Sequence, residues 1–277
     1  MRIAAALLAL SLTALPAHAE VKRVVSLNPC LDAILINVAE REQIAALSHY
    51  ARDKNSSTIV EAALTFPKTF ETAEEVMALS PDLVLTSRHS SLATRNAFKE
   101  LKIPTELFDE PQSVRESLAQ VRRIADLVGH PEKGEELISA IEAALADAAP
   151  PRDTKPVPVL LFLSGGFSTG GGTLVDEMMK RTGFENTAGN YGLVGWGNIP
   201  LELVIANPPP VLLAGAILAD KPTWADRILR HPALQAESAR MKRITFSERF
   251  IYCGGPVLMK SAAALKQARN LVAGGAP

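Results

Sequence analysis

Apolar and polar positions alternate along the chain in two distinct rhythms. Short apolar runs, bounded by polar or proline residues, occur at Arg23 to Leu27, Ile44 to Ser48, Leu83 to Thr86, Thr105 to Phe108, Val157 to Leu163, Val211 to Leu213 and Arg243 to Phe246. Runs of this length read as buried strands, and the stretches between them carry the three-and-four spacing of helices. Strands alternating with helices predict an α/β fold with largely parallel sheets. The clearest helix spans Pro131 to Ala149, with Leu137, Ile138, Ile141, Ala144, Leu145 and Ala148 on one face over about five turns. The breaker segment Pro150-Pro151-Arg152-Asp153-Thr154-Lys155-Pro156 follows it, so this helix reads as a rod between two halves.

The halves repeat one another. Glu74-Glu75-Val76-Met77-Ala78-Leu79-Ser80-Pro81-Asp82-Leu83-Val84-Leu85 aligns without a gap on Glu202-Leu203-Val204-Ile205-Ala206-Asn207-Pro208-Pro209-Pro210-Val211-Leu212-Leu213. Each copy gives a short helix, a proline turn and a buried strand. Two similar lobes on one rod leave a cleft where the loops at the strand ends converge, and a ligand site is expected there.

Arg2 followed by the apolar run Ile3 to Leu15 and by Ala17-His18-Ala19 predicts a secretory signal peptide over residues 1–19, cut before Glu20. The run falls short of the roughly 20 residues a spanning helix needs. Cys30, the first cysteine, lies too far along for lipid attachment, which predicts a free periplasmic protein. Without the signal, 28 Lys and Arg face 30 Asp and Glu, a net charge of −2. That balance gives no reason to expect nucleic acid as a partner. Aromatic residues make up only 5 % of the chain, so Trp196, Trp224, Tyr50, Tyr191 and Tyr252 are individually informative. Cys30 and Cys253 are the two cysteines, and an oxidising compartment permits a bridge without establishing one.

The stretches RVVSLNPCLDAIL, EEVMALSPDLVLTSR, the long middle helix, GNIPLELVIANPPPVLL and HPALQAESARMKRITFSERFIYCGGP, in that order, resemble the periplasmic binding proteins for cobalamin, ferric siderophores and haem. The resemblance covers nearly all of the chain after the signal. It implies two Rossmann-like lobes (20–130 and 151–277) joined by one long rigid α-helix (131–150), with the ligand cleft between them. It also implies a monomer, small lobe motion, no cofactor, no catalysis, and delivery of a small ligand to the permease dimer of an ABC importer in the inner membrane. Docking on the permease would use an acidic residue from each lobe, here Glu74 and Glu202. Each also sits in a first helical turn, where a carboxylate is worth about 0.3 to 1 kcal/mol against the helix dipole without any docking role. Ligand contacts map to Asn28, Pro29 and Cys30, to His49 and Tyr50, to Tyr191 and Trp196, and to Arg249, Tyr252 and Cys253. Arg88 and His89, after the strand Leu83 to Thr86, join this set. Arg52 and Arg249 are candidates to pair with an anionic chelate. The cysteines leave three outcomes open: an inter-lobe disulfide, thiolate contacts to the ligand, or two separate thiols.

Two other chemistries compete with this one. Gly166-Phe167-Ser168-Thr169-Gly170 matches the G-x-S-x-G of serine esterases, but Ser164 to Phe167 separate Ser168 from its strand and Gly171-Gly172 delay the next helix. A metal-ion receptor would draw on His49, His89, Cys30 and Cys253, which lack the spacing of a preformed site. No P-loop and no G-x-G-x-x-G opening a helix is present. The identity of the ligand among corrinoid, haem and ferric siderophore stays open at this level.

Overall fold

The computed structural model of the chain describes residues 21–215 and 225–274, so the expected signal segment 1–19 and Trp224 lie outside the described residues. The first lobe is a parallel sheet of β1 (Val24–Ser26), β2 (Ile44–Ser48), β3 (Lys68–Thr69), β4 (Leu83–Ser87) and β5 (Thr105–Phe108), in the order β3-β2-β1-β4-β5. Its helices are α1 (Pro29–Val38), α2 (Val60–Ala63), α3 (Ala73–Ala78), α4 (Leu92–Glu100) and α5 (Val114–Leu127). After α6 (Pro131–Ala148), the second lobe contains β6 (Val157–Phe162), β7 (Phe167–Thr169), α7 (Leu174–Arg181), β8 (Phe184–Asn186), β9 (Trp196–Asn198), α8 (Leu201–Ala206), β10 (Val211–Gly215), α9 (Pro232–Ala236), β11 (Lys242–Phe246) and α10 (Val257–Ala273). Its main sheet runs β11-β10-β6-β8, all parallel, and β7 pairs antiparallel with β9.

The repeat seen in the sequence is a repeat of structure. In the first lobe α3 leads into β4, and in the second α8 leads into β10; both strands lie between two neighbours in their sheets. The apolar runs become strands buried on both faces because helices cover both sides of a parallel sheet. Successive strand residues then serve different cores. Val24, Leu83, Leu85, Val159 and Leu161 face one large apolar core that also takes in α1, α5, α6, α7 and α10. Val25 and Val84 face a smaller cluster around Phe98, and Leu160, Phe162 and Leu212 face another around Leu229.

Helix α6 carries its apolar stripe, Leu137, Ile138, Ile141, Leu145 and Ala148, into the shared core. Its ends are tied to different lobes. At the start, Lys133 pairs with Glu40 (2.6 Å) and His130 Nε2 lies 2.9 Å from Gln43 Oε1, both partners lying between α1 and β2. At the finish, the buried Arg269 of α10 donates to the carbonyls of Ala148 (2.9 Å) and Thr182 (2.7 Å). One guanidinium thereby satisfies orphan carbonyls at two helix C-termini, whose dipoles favour a cation. Lys266 adds a 2.8 Å pair with Asp147. Helix α6 thus makes polar contacts with the segment between α1 and β2 at its start and, at its finish, with α10 and through Arg269 with the end of α7.

The lobes also meet at a covalent seam. Cys30 at the start of α1 and Cys253 before α10 form a disulfide, with Cα atoms 5.0 Å apart. The thiolate and separate-thiol outcomes therefore do not apply. The general expectation that cleft loops stand more than about 7 Å apart fails here because these two loops meet at the floor of the cleft, where the first turns of α1 and α10 abut. Gly254 and Gly255 make that approach feasible. A Cβ at Gly254 would lie 2.3 Å from Ser117 Oγ, and one at Gly255, whose φ is +58°, would lie 2.6 Å from Ile34 Cγ1. The Gly255 N–H crosses the seam to donate to Ser117 Oγ at 2.6 Å.

Candidate ligand-binding site

The strand exits of the first lobe meet Tyr252 of the second. A cavity of about 180 Å³ is lined by Asn28 and Cys30 after β1, Ser87 at the end of β4 and His89 just beyond it, Phe108, Asp109 and Glu110 at the end of β5, and Tyr252 after β11. Four of the residues expected to contact ligand, Asn28, Cys30, His89 and Tyr252, are thus brought together across the lobes. Asn28 is also a helix cap. Its side-chain oxygen accepts from the N–H groups of Cys30 (2.9 Å) and Leu31 (3.3 Å) at the start of α1, with Pro29 in the first helical turn. At 180 Å³ this floor cavity, beside the Cys30–Cys253 bridge, is smaller than the 300–1,000 Å³ usual for small-molecule sites.

Each lobe carries a group of packed aromatic rings. In the first lobe, His49 after β2 packs on Tyr50 (ring centroids 3.9 Å) and on Phe70 (4.9 Å), and Tyr50 and Phe70 are half-exposed. In the second, Trp196 stacks on Phe167 at 5.3 Å and 9° between planes, held by the pairing of β7 with β9. Exposed or half-buried rings of this kind offer flat area at low entropic cost.

Charged groups of both signs lie around these surfaces, and Lys68 Nζ stands 4.8 Å from the centroid of the Phe70 ring. Glu71 lies 3.7 Å from His49 Nδ1, and burial raises the Glu71 carboxyl above its ordinary pKa. Its left-handed φ of +71° is held in part by its N–H donating to Thr69 Oγ1 (3.0 Å). Glu248 accepts the Tyr252 hydroxyl at 2.8 Å and the Ser164 N–H at 3.1 Å. Burial first, and Glu248 second, push the Tyr252 phenol well above its ordinary pKa. Arg88 pairs with Asp109 at the cavity edge, and Glu110 stands beside it.

Arg249, Tyr191 and Arg52 have other surroundings in the structure. Arg249 does not line the floor cavity. It borders a separate 650 Å³ groove on the seam, together with Lys54 and Lys260. Tyr191 donates its hydroxyl to the Asn207 carbonyl (2.7 Å) and packs on the second lobe's smaller core, so its polar tip is used within its own lobe. Arg52 donates to the Phe66 carbonyl. Conversely, Phe70, Glu71, Phe167 and Glu248 escaped the sequence reading. Phe70 and Glu71 follow β3, a two-residue strand too short to register as an apolar run, and Glu248 follows β11 beside the residues that were singled out.

Glu74 and Glu202 occupy matching positions in the first turns of α3 and α8. Both are exposed, and neither has an ion-pair partner among the described residues. The esterase motif has no nucleophile to offer: Ser168 is fully buried in β7 and donates its hydroxyl to the Leu161 carbonyl at 2.6 Å. His231 caps α9 by accepting the Ala233 N–H. Among the described residues no three His, Cys, Asp or Glu side chains are grouped to hold a metal ion, and the two sulfurs once considered as ligands are bonded to each other.

The fold has the architecture expected of a two-lobed binding protein, with residues of both lobes on one cavity. The family comparison agrees: residues 24–244 match the model of the periplasmic binding proteins, and the chain belongs to that family. A cobalamin-binding protein of Halobacterium salinarum is 23% identical over 216 residues, covering 76% of this chain and 58% of the relative. An uncharacterized ABC transporter substrate-binding lipoprotein of Bacillus subtilis, YvrC, is 26% identical over 157 residues, covering 53% of this chain and 49% of its own. The chain therefore spans about half of the length of the curated relatives it matches. Among solved structures, the periplasmic heme-binding protein RhuT from Roseiflexus sp. RS-1 superposes with a TM-score of 0.70 at 25% identity, covering 90% of this chain and 99% of that one.

Proposed function

We propose that this protein is the exported substrate-binding component of an ABC importer, working as a monomer without catalysis, and that its ligand is a cobalamin-type corrinoid. The observation that carries the reading is the cavity in which Asn28, Cys30 and His89 of the first lobe meet Tyr252 of the second, in a molecule whose two lobes each carry an aromatic group, His49–Tyr50–Phe70 and Phe167–Trp196. Membership of the binding-protein family supports the carrier role.

The ligands named for the relatives divide between cobalamin and heme, so the chemistry of this cleft is the better guide to choice. The floor cavity itself carries the carboxylates Asp109 and Glu110, Arg88 at its edge is engaged by Asp109, and Glu248 holds the Tyr252 hydroxyl. Such a lining repels the carboxylates of haem and of many ferric siderophores, whereas the amide-rich rim of a corrinoid offers donors to it. Tyr252 is poorly suited to bind ferric iron as a phenolate, because its proton is held by Glu248 and its acidity is lowered by burial. Glu74 and Glu202 present one free carboxylate on each lobe for the permease. Titrating the purified protein with cyanocobalamin, haemin and a ferric siderophore, followed by Trp fluorescence, tests the choice. Corrinoid binding at least tenfold tighter than the other two is expected, and preference for an anionic ligand would overturn it.

A further inference from the structure

The Cys30–Cys253 bridge is both a tie between the lobes and a wall of the cleft. Cys30 lines the floor cavity with Asn28, His89 and Tyr252, whereas Cys253 is only 9% exposed and packs with Ala33 and Val257. A small reductant therefore meets the bridge from the cavity, on its Cys30 side. A ligand seated on the same floor occupies that route. Beside the bridge, the Gly255 N–H to Ser117 Oγ bond and the close packing of Gly254 and Gly255 on Ser117 and Ile34 complete the contact of the two lobes.

We infer that this disulfide is a redox-sensitive latch under the ligand's control: intact, it fixes the spacing of the lobes at the cleft floor; reduced, it lets them loosen; and bound ligand shields it from reduction. The shielding half rests on the carrier reading above, and the latch half does not. The reductant is a dithiol. Its thiolate attacks Cys30 Sγ, a new S–S bond forms there, the Cys30–Cys253 bond breaks, and Cys253 departs as a thiolate. The reductant's second thiol, once deprotonated, attacks the reductant sulfur of the mixed disulfide and expels Cys30. The two protein thiolates take up two protons, so the protein gains two electrons and two protons while the dithiol closes into its cyclic disulfide. Cys30 is the sulfur attacked because it alone of the pair borders the cavity.

Amide hydrogen exchange on the exported chain, oxidised and in dithiothreitol, reads the latch directly. Exchange at Gly255, whose N–H spans the seam, is expected to accelerate at least tenfold on reduction, while Val84 and Leu213 in the sheet centres keep their rates. An unchanged rate at Gly255 overturns the latch, and so does uniform acceleration everywhere, which would make the bridge a general stabiliser. A Cys30→Ser/Cys253→Ser variant should reproduce the reduced state; if it does not fold, the reduced native chain still gives the answer. The second measurement times thiol release by dithiothreitol, using alkylation and mass, with and without saturating cyanocobalamin. Release at least tenfold slower in the complex is expected. Equal rates with corrinoid bound, as judged by absorbance, overturn the shielding. If cyanocobalamin does not bind, the ligand reading fails and the shielding claim falls with it, while exchange at Gly255 still decides the latch.

Discussion

Asp32 offers a test of the packing that holds the cleft loops. It lies on α1, is fully buried, and accepts from the Ser48 hydroxyl (2.6 Å) and the Ser48 N–H (3.2 Å), fastening α1 to the end of β2 just before His49 and Tyr50. Burial pushes its pKa from 3.8 up to about 8, against the opposing pull of those hydrogen bonds. A carboxyl raised in this way makes its contribution in full below the unfolded pKa and loses it as pH climbs through the folded one. The unfolded chain gives up the proton near pH 4, whereas the folded chain keeps it until about 8. Stability attributable to Asp32 should therefore fall across that window and level off above it. At ~1.4 kcal/mol per unit the ceiling is about 6 kcal/mol, and relaxation of the site should leave at least about 2 kcal/mol. Asp32→Asn removes the titration while keeping an oxygen that can accept from Ser48. Urea unfolding of both proteins at pH 4.5, 6, 7.5 and 9 reads the difference, since other titrating groups cancel between them. The variant should gain on the native protein steadily as pH rises. Two parallel curves would mean that Asp32 is ionised in the fold and that the account of its burial is wrong.

Further outcomes follow from the cleft and the seam. Trp196→Ala, which removes one face of the Phe167 stack, should weaken ligand binding by about 1 to 3 kcal/mol by calorimetric titration, and an unchanged affinity would make Trp196 structural. Reversing charge at Glu74 and Glu202 together should abolish uptake through the permease while leaving the dissociation constant of the purified protein unaltered; normal uptake would refute the docking role. Gly255→Ala combines a left-handed backbone with a 2.6 Å encounter with Ile34, so thermal unfolding should register a loss of about 1 to 3 kcal/mol, and no loss would show that the seam yields there.

The alternation of buried strands and helices was legible because both faces of each parallel strand are covered, which writes continuous apolar runs into the chain. The ungapped match of 74–85 with 202–213 likewise translated directly into α3–β4 and α8–β10. What stayed hidden was short or long-range. The strands β3, β7, β8 and β9 have two or three residues each, too few for a period to appear, and Phe70, Glu71 and Phe167 went unnoticed with them. Whether Cys30 meets Cys253 depends on how two helix starts abut across 223 residues of chain, which no local pattern encodes. The contact of the Tyr191 hydroxyl with the Asn207 carbonyl and the place of Arg249 on the seam groove are likewise set by packing between segments and carry no local pattern. Asp32 gave no signal because a lone acidic residue in an apolar helix looks the same whether it faces solvent or Ser48.

The central claim is that the chain carries a corrinoid in its cleft. Native mass spectrometry and absorbance on protein recovered from its own cell envelope, without refolding or added ligand, test this most directly. The account predicts a population bearing a corrinoid mass and spectrum, reduced when Trp196 is replaced by Ala. Recovery with haem or a ferric chelate in its place would contradict the ligand assignment, and a chain that neither carries nor takes up any member of the three classes would contradict the account as a whole.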